Sequence, residues 1–210
     1  RVETAWVNLS NTKTVKVYDS SFCGWDGNTY EYYSSDDKKG KIKIDKNVYV
    51  VKNGSALTDW TKDDFSAPDG YLEFIDNNND GNAEAVVIYE PQIVIADSVS
   101  IGNGKVTISD VSGAVISAEN YNYISISKNG KNTTAGKVVQ NNVLKLYISK
   151  NKKSVIVDVI DNVVSGTIES IYDDGAVISG KETEYSEYYK KNYNVTDIPE
   201  IGKSVEALLD

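Results

Sequence analysis

Histidine and methionine are absent from the 210 residues, and only one cysteine and three prolines occur. Without His, the chain lacks the commonest general base, the commonest transition-metal ligand and the usual pH switch. Cys23 cannot form an intrachain disulfide or a thiolate metal cluster, and we interpret it as a small apolar residue packed among aromatic rings. Because Met is missing and the first residue is Arg1, we expect a processed product or a part of a larger protein.

The charge is acidic, with 22 Lys and Arg against 31 Asp and Glu and a formal net charge of −9. This balance speaks against a nucleic-acid partner. No apolar run approaches the roughly 20 residues that span a bilayer, so we expect no membrane insertion within this segment. Acidic charge, absent disulfides and 15 Tyr are typical of a bacterial protein located outside the cell, at the cell wall or cell surface.

Short β-strands are predicted along almost the whole chain, because apolar and β-branched residues alternate or run together in segments of three to nine. The predicted strands are residues 14–18, 40–44, 48–51, 71–75, 85–89, 92–96, 105–109, 114–117, 121–127, 143–149, 154–160, 163–171, 176–178 and 204–208. Asn-Gly and Asp-Gly dipeptides separate many of them and favour tight hairpin turns. Helix is expected only in two short segments, residues 58–65 and 186–191.

The predicted fold is all-β, with two tandem small antiparallel β-barrel or sandwich modules and one or two short helices. We place the modules at residues 1–99 and 100–210, with a possible further boundary near residue 163. A weak internal echo supports two related halves, because residues 72–75 and 85–88 resemble residues 144–148 and 155–160.

Four segments of the chain resemble parts of a known class of surface protein. They are residues 71–88, 164–171, 177–186 and 201–210. Their turn and strand patterns are similar to the non-anchoring regions of bacterial S-layer-type and S-layer-homology proteins. The resemblance implies a secreted, wall-associated protein of tandem β modules whose partners are other surface-protein domains or a cell-wall polymer. No wall-anchoring repeat of that family is visible in these residues.

Catalytic signatures are not evident in the sequence, which contains no nucleophile elbow, phosphate loop or dinucleotide fingerprint. Two carboxylates could hydrolyse a glycosidic bond without His. However, the paired acids at residues 36–37, 63–64 and 173–174 adjoin turn or cap signals, where Asp serves the backbone. We therefore predict a non-catalytic structural or interaction segment without an organic cofactor.

A carbohydrate-binding module of a cell-wall-associated protein or glycosidase is the alternative function, because aromatic rings can stack on sugars. The candidate rings are Trp6, Trp25, Trp60 and the 15 Tyr, among them Tyr30, Tyr32 and Tyr33. Tyrosine is also a common half-buried strand residue, with an apolar ring for the core and a hydroxyl for water. Both interpretations remain open from the sequence.

The loop after residue 75 predicts a calcium site. Its candidate ligands are Asp76, Asn78, Asp80, Asn82 through its carbonyl, and Glu84. Ligands at every second position, with Gly81 for the sharp turn, place hard oxygen atoms around one cation. The loop is not an EF-hand, because Val87 occupies the twelfth position where a Glu is required. The alternative is a polar hairpin turn without an ion.

Overall fold

A computed structural model describes residues 12–128, 130–186, 189–190 and 200–209. The protein is all-β, and it divides into two compact units, Arg1–Pro91 and Gln92–Asp210. The module junction expected between residues 99 and 100 lies inside a strand of the second unit, Gln92–Gly102.

Seven strands of unit 1 form one sheet. They are β1 (Lys13–Tyr18), β2 (Phe22–Asp26), β3 (Thr29–Tyr33), β4 (Lys39–Lys52), β5 (Ser55–Leu57), β6 (Tyr71–Asp76) and β7 (Asn82–Tyr89). The strand order is β1-β6-β7-β4-β3-β2, and β5 pairs with the end of β4. All pairs are antiparallel except β4–β7, which is parallel.

The second unit begins with another seven-stranded sheet. Its strands are β8 (Gln92–Gly102), β9 (Lys105–Asp110), β10 (Val115–Glu119), β11 (Tyr123–Lys128), β12 (Lys131–Asn132), β13 (Val143–Ile148) and β14 (Ser154–Ile160). The order is β10-β9-β8-β13-β14-β11-β12, and β11 runs parallel to β14. The expectation of purely antiparallel sheets is therefore wrong in both units. In each unit, one strand pairs in parallel with the second strand of a hairpin, and a crossover connection brings the two strands together.

A four-stranded sheet completes unit 2. Its strands are β15 (Asn162–Ile171), β16 (Gly175–Ile178), β17 (Lys181–Glu184) and β18 (Ser204–Leu209), in the order β17-β16-β15-β18. The possible boundary predicted near residue 163 falls at the start of β15.

Helical structure is limited to single turns in the described residues. Three 3₁₀ turns occur, at Asp19–Ser21, Lys62–Phe65 and Ala135–Lys137. Of the helix expected at residues 58–65, only the last four residues form a helical turn. Of the other candidate, residues 189–190 are helical, while 187, 188 and 191 lie outside the described residues.

The two seven-stranded sheets contain the same arrangement of four strands, which we name A, B, C and D in chain order. These are β1, β4, β6 and β7 in unit 1, and β8, β11, β13 and β14 in unit 2. Both sheets have the order A-C-D-B, with A–C and C–D antiparallel and D–B parallel. In both, a short strand folds back on B, a 3₁₀ turn follows, and five residues connect C to D. The weak echo in the sequence therefore corresponds to a repeated strand topology.

An ion pair recurs at the same place in each arrangement. The last residue of strand B contacts the acid that stands just after strand D, through Lys52 and Glu90 at 2.6 Å and through Lys128 and Asp161 at 3.1 Å. The registers agree, because each Lys lies opposite a residue two positions before that acid. The two units thus match residue by residue at this position.

The cores differ in composition although their positions correspond. Strand C contributes Leu72 and Phe74 in unit 1 and Leu144 and Leu146 in unit 2, all at most 1% exposed. The unit 1 core also contains Tyr30 and Phe65, with Trp25 and Trp60 packed against it, whereas buried aliphatic residues and Ala make up the unit 2 cluster. Alternation of apolar residues along each strand directs these side chains to one face.

Candidate metal site

The candidate calcium loop is the C–D turn of unit 1. Asp76 ends β6, Asn82 begins β7, and residues 77–81 connect them. The chain turns sharply through Asn79 and Gly81, which have φ angles of 60° and 90°. Asn and Gly adopt this left-handed conformation at low cost, so the sequence suits the turn.

Three carboxylates converge in this loop. Oxygen atoms of Asp76, Asp80 and Glu84 lie within 4.8 Å of one another. Calcium binds oxygen at about 2.3–2.6 Å, so ligands on opposite sides of one ion are separated by roughly 5 Å. The spacing fits a single calcium ion. Without a cation, three negative groups at this distance repel one another, more strongly because Asp76 is only 8% exposed.

Backbone N–H groups hold all three carboxylates in place, and the bond to Asp80 comes from Asn82. Asp76 accepts hydrogen bonds from the N–H groups of Asp80 at 3.1 Å and Gly81 at 2.8 Å. Glu84 accepts one from the N–H of Asn77 at 2.6 Å. The ligand positions are therefore fixed by the turn itself, which lowers the entropy cost of gathering them around an ion.

The two amide candidates are directed toward Asp80. The Asn78 side-chain oxygen accepts the N–H of Asp80 at 2.8 Å, and the Asn82 side-chain amide donates to the Asp80 carboxylate at 2.8 Å. The backbone N–H of Asn82 donates to the same carboxylate and is the largest cause that lowers the pKa of Asp80. Of the five predicted ligands, the structure brings the three carboxylates together and places the Asn78 side chain against Asp80. The Asn82 side chain also bonds to Asp80, while its carbonyl, which is the predicted ligand, stays a prediction.

Two neighbours of the site were not predicted. Asn77 holds Glu84, and its side-chain oxygen accepts a hydrogen bond from Thr12 at 3.1 Å. Lys43 lies opposite Asn82 in the parallel β4–β7 pair and also lowers the pKa of Asp80. Asn77 was not predicted because the candidate ligands occupy every second position and Asn77 lies between two of them. Lys43 can be placed beside the site only once the parallel pairing of β4 and β7 is known.

Unit 2 has apolar residues where unit 1 has Asp76 and Glu84, and it has Lys152 where unit 1 has Asp80. Register places Asp76 and Glu84 one step beyond the Ile75–Ala85 pair, and the corresponding position in unit 2 is the Ile148–Val155 pair. Val155 is fully buried. The shared strand arrangement therefore does not require acids at this position, so their presence in unit 1 calls for a separate cause.

Comparison with known proteins adds no relative. No protein family, curated protein or solved structure matches the chain. In the described part of the chain, no helix is long and apolar enough to cross a membrane. The resemblance to S-layer-type proteins therefore remains a prediction, and the site has to be interpreted from its own geometry.

The aromatic candidates for sugar binding that the structure describes are used mainly in packing, and Trp6 lies outside the described residues. Trp25 makes edge contacts with Tyr30 and Phe65, at ring distances of 5.3 and 5.2 Å, and Trp60 contacts Phe65 at 5.4 Å. Tyr32 packs against the same core, whereas Tyr33 is half exposed. These contacts agree with the interpretation that the aromatic residues pack in the core.

Tyr30 is unusual within that core. Its ring is fully buried, and in the described structure its hydroxyl has no hydrogen-bond partner. Burial raises the pKa of Tyr30, with smaller contributions from Asp19 and Cys23. Cys23 itself is exposed on β2, so the expectation that it packs as a small apolar residue is wrong. A β-bulge between Phe22 and Gly24 interrupts the alternation at this point.

Two of the acidic pairs have backbone roles. Asp64 accepts the N–H of Thr61 at 2.7 Å and so caps the 3₁₀ turn at Lys62–Phe65. Asp37 occupies the left-handed region, with φ 54°, in the turn between β3 and β4. These placements agree with turn and cap functions.

Proposed function

We propose that the protein is a non-catalytic structural or interaction segment of a secreted bacterial cell-surface protein, in which calcium locks the C–D turn of unit 1. The convergence of Asp76, Asp80 and Glu84 within 4.8 Å carries the calcium part of the proposal. The apolar pair at the matching position of unit 2 supports it, because the acids serve no need common to both units.

The surface location rests on the sequence resemblance to S-layer-type proteins and on the acidic composition. In this proposal, the two units are tandem β modules of barrel or sandwich type, each with its own apolar cluster. Their partners are other surface-protein domains or a cell-wall polymer. Calcium outside the cell is abundant enough to occupy sites of the 10⁻⁴–10⁻³ M class typical of extracellular modules.

Within the loop, Asp76, Asp80 and Glu84 would supply carboxylate oxygens, with the Asn82 carbonyl and the Asn78 side chain as further candidates. A bound ion would neutralise the mutual repulsion of the three acids and tie the end of β6 to the start of β7. Its role would be mechanical, because it would fix a hairpin instead of activating a substrate.

The experiment is calorimetric titration of the chelator-treated protein with calcium chloride, paired with thermal melts with and without chelator. We expect saturable binding in the wild type and its loss in Asp76→Asn. At a calcium concentration of about 100 times the dissociation constant, the ion should stabilise unit 1 by about 2.7 kcal/mol. Asp36→Asn is the matched control, because Asp36 is exposed and lies outside the loop.

Absence of heat at millimolar calcium, together with a melt that chelator leaves unchanged, would show that the loop is a polar turn that binds no calcium. The interaction role has a separate test, a pull-down on cell-wall polysaccharide. Specific binding would support a cell-wall polymer as the partner, and its absence would leave other surface-protein domains. Loss of binding in Trp25→Ala or Trp60→Ala variants that melt as the wild type does would favour a carbohydrate-binding module, since both rings also pack in the core.

A further inference from the structure

Two hairpins, one in each unit, turn on the same Asn-Gly dipeptide. Residues 53–54 connect β4 to β5, and residues 103–104 connect β8 to β9. The φ angles are 47° and 79° in the first turn and 51° and 71° in the second. Positive φ at both central residues is the type I′ conformation, so the two turns are matched in sequence and in backbone conformation.

An Asn-Gly dipeptide holds two groups that can react with each other. The backbone nitrogen of the Gly attacks Cγ of the Asn side chain, which forms the C–N bond of a five-membered succinimide ring. The amide nitrogen of the Asn leaves as ammonia and takes the proton that the Gly nitrogen gives up. Water then opens the ring at either carbonyl, so the product is Asp or isoaspartate, each with one new negative charge. Gly favours the attack because it has no Cβ beside the nitrogen.

In unit 1, the side chain of Asn53 is held away from this reaction. Its Nδ2 donates a hydrogen bond to the carbonyl of Glu90 at 2.7 Å, and its Oδ1 accepts the N–H of Glu90 at 3.0 Å. Both polar atoms of the amide are therefore bound to the backbone of one residue on another strand's end. Ring closure turns the amide toward the nitrogen of Gly54, so both hydrogen bonds have to break first.

In unit 2, the side chain of Asn103 is not restrained in this way. Asn103 is exposed, and no hydrogen bond within the described part of the chain involves its side chain. The space around the attacking residue is also open, because a Cβ placed on Gly104 would have only its own chain neighbours within 4 Å. The Gly104 carbonyl accepts the N–H of Asn120 at 2.8 Å, and this bond involves neither reacting group.

We propose that Asn103 is a site of spontaneous deamidation in the folded protein, and that the hydrogen bonds to Glu90 protect Asn53 from the same change. Breaking two ordinary hydrogen bonds corresponds to a difference in rate of at least about tenfold. Isoaspartate at position 103 also adds one carbon atom to the main chain of a turn that fits two residues. The modification therefore loosens the β8–β9 hairpin as the protein ages. This inference does not depend on the calcium site.

The test follows both sites in the full chain, which is incubated in mildly alkaline buffer and sampled over time. Cleavage after Lys and after aromatic residues releases residues 53–60 and 90–105, each of which contains a single Asn. Mass spectrometry measures the fraction of each peptide that has lost its amide, and chromatography separates isoaspartate from Asp. We expect Asn103 to deamidate at least about tenfold faster than Asn53.

The denatured protein is the first control. In concentrated guanidinium chloride the bonds to Glu90 are lost, so the two sites should deamidate at similar rates. Similar rates in the folded protein, or a ratio that persists in denaturant, would overturn the proposal, because the fold would not be the cause.

Asn103→Gly is the second control, because Gly-Gly also suits the turn and carries no amide. Compared with fresh protein, aged wild type should lose hydrogen-exchange protection at the β8 and β9 amides, whereas the aged variant should keep it. An equal loss in both proteins would contradict the link between deamidation and the hairpin.

Discussion

Units 1 and 2 share the A-C-D-B strand order but differ in the chemistry of the C–D turn. In unit 1, the turn is flanked by Asp76 and Glu84 and is held by backbone bonds to carboxylates. In unit 2, the matching turn contains three Lys, and the Ser149 hydroxyl accepts the N–H of Ser154 at 2.8 Å. The two units thus share the turn's length and strand register, while the charge of the turn differs between them.

The largest effect should come from moving a unit 1 acid into unit 2. Val155→Glu should destabilise unit 2 by about 3–5 kcal/mol, because a fully buried carboxylate would lack a partner. Glu84→Val in unit 1 should cost only about 1 kcal/mol in the calcium-free protein, because it relieves the repulsion among the acids but removes the acceptor of the Asn77 N–H. Urea denaturation of both variants measures this asymmetry. Equal costs would mean that the acids of unit 1 are as necessary to the strands as the apolar pair of unit 2.

Matching core positions in strand C give the next test. Phe74→Ala should cost about 3–5 kcal/mol and Leu146→Ala about 2–5 kcal/mol, since both side chains are buried and leave cavities. Denaturant melts followed by Trp fluorescence should detect the first variant preferentially, because Trp25 and Trp60 pack in unit 1. A variant with near-native stability at either site would break the correspondence between the two cores.

The recurring ion pair should contribute little in either unit. Glu90→Gln and Asp161→Asn should each cost about 0.2–1 kcal/mol, because both pairs are partly exposed to water. Denaturation at low and high salt measures the electrostatic part, which should shrink in both variants as salt rises. A cost confined to one unit would show that the pair is structural in that unit only.

The smallest effect concerns pH. The pKa of Asp80 is lowered in the folded protein by the N–H of Asn82. Its contribution to stability is therefore complete above the unfolded pKa of about 3.9 and is lost as pH falls through the lower folded value. In calcium-free melts, the stability advantage of the wild type over Asp80→Asn should shrink as the solution is acidified below about pH 4. An advantage that persists unchanged in acid would contradict this origin.

Much of the strand pattern follows from the sequence because alternation is a local property. The strands around residues 71–75 and 154–160 show it clearly, and Asn53-Gly54 and Asn103-Gly104 adopt positive φ at the turns between strands. Strand β2 was missed because Gly24 and the neighbouring bulge disturb its period, and β3 was missed because its consecutive residues Tyr30 and Glu31 are both buried. Residues 40–44 and 48–51 were predicted as two strands but form the single strand β4, whose register with β7 shifts between them.

The parts of the candidate site that depend on spacing along the sequence were predictable. The contacts that depend on strand pairing were not. The spacing of Asp76, Asp80 and Glu84 around a tight turn was sufficient to bring them together. The side chain of Asn78, a predicted ligand, bonds to Asp80, because short polar side chains bond readily to nearby groups in a turn. Parallel contacts such as that of Lys43 depend on a crossover that no local pattern encodes.

The crossover between β4 and β7 also bears on the rate at which unit 1 folds. The β6–β7 hairpin is closed by a five-residue turn. In the sequence, β5, a 3₁₀ turn and β6 separate β4 from β7, its parallel partner. Strand β1, near the start of the unit, pairs with β6, near its end. Loop-closure entropy favours the hairpin as the earliest element and makes the distant strands late additions. An ion bound at that hairpin would act on the part that forms first. Calcium would then accelerate folding more than it slows unfolding.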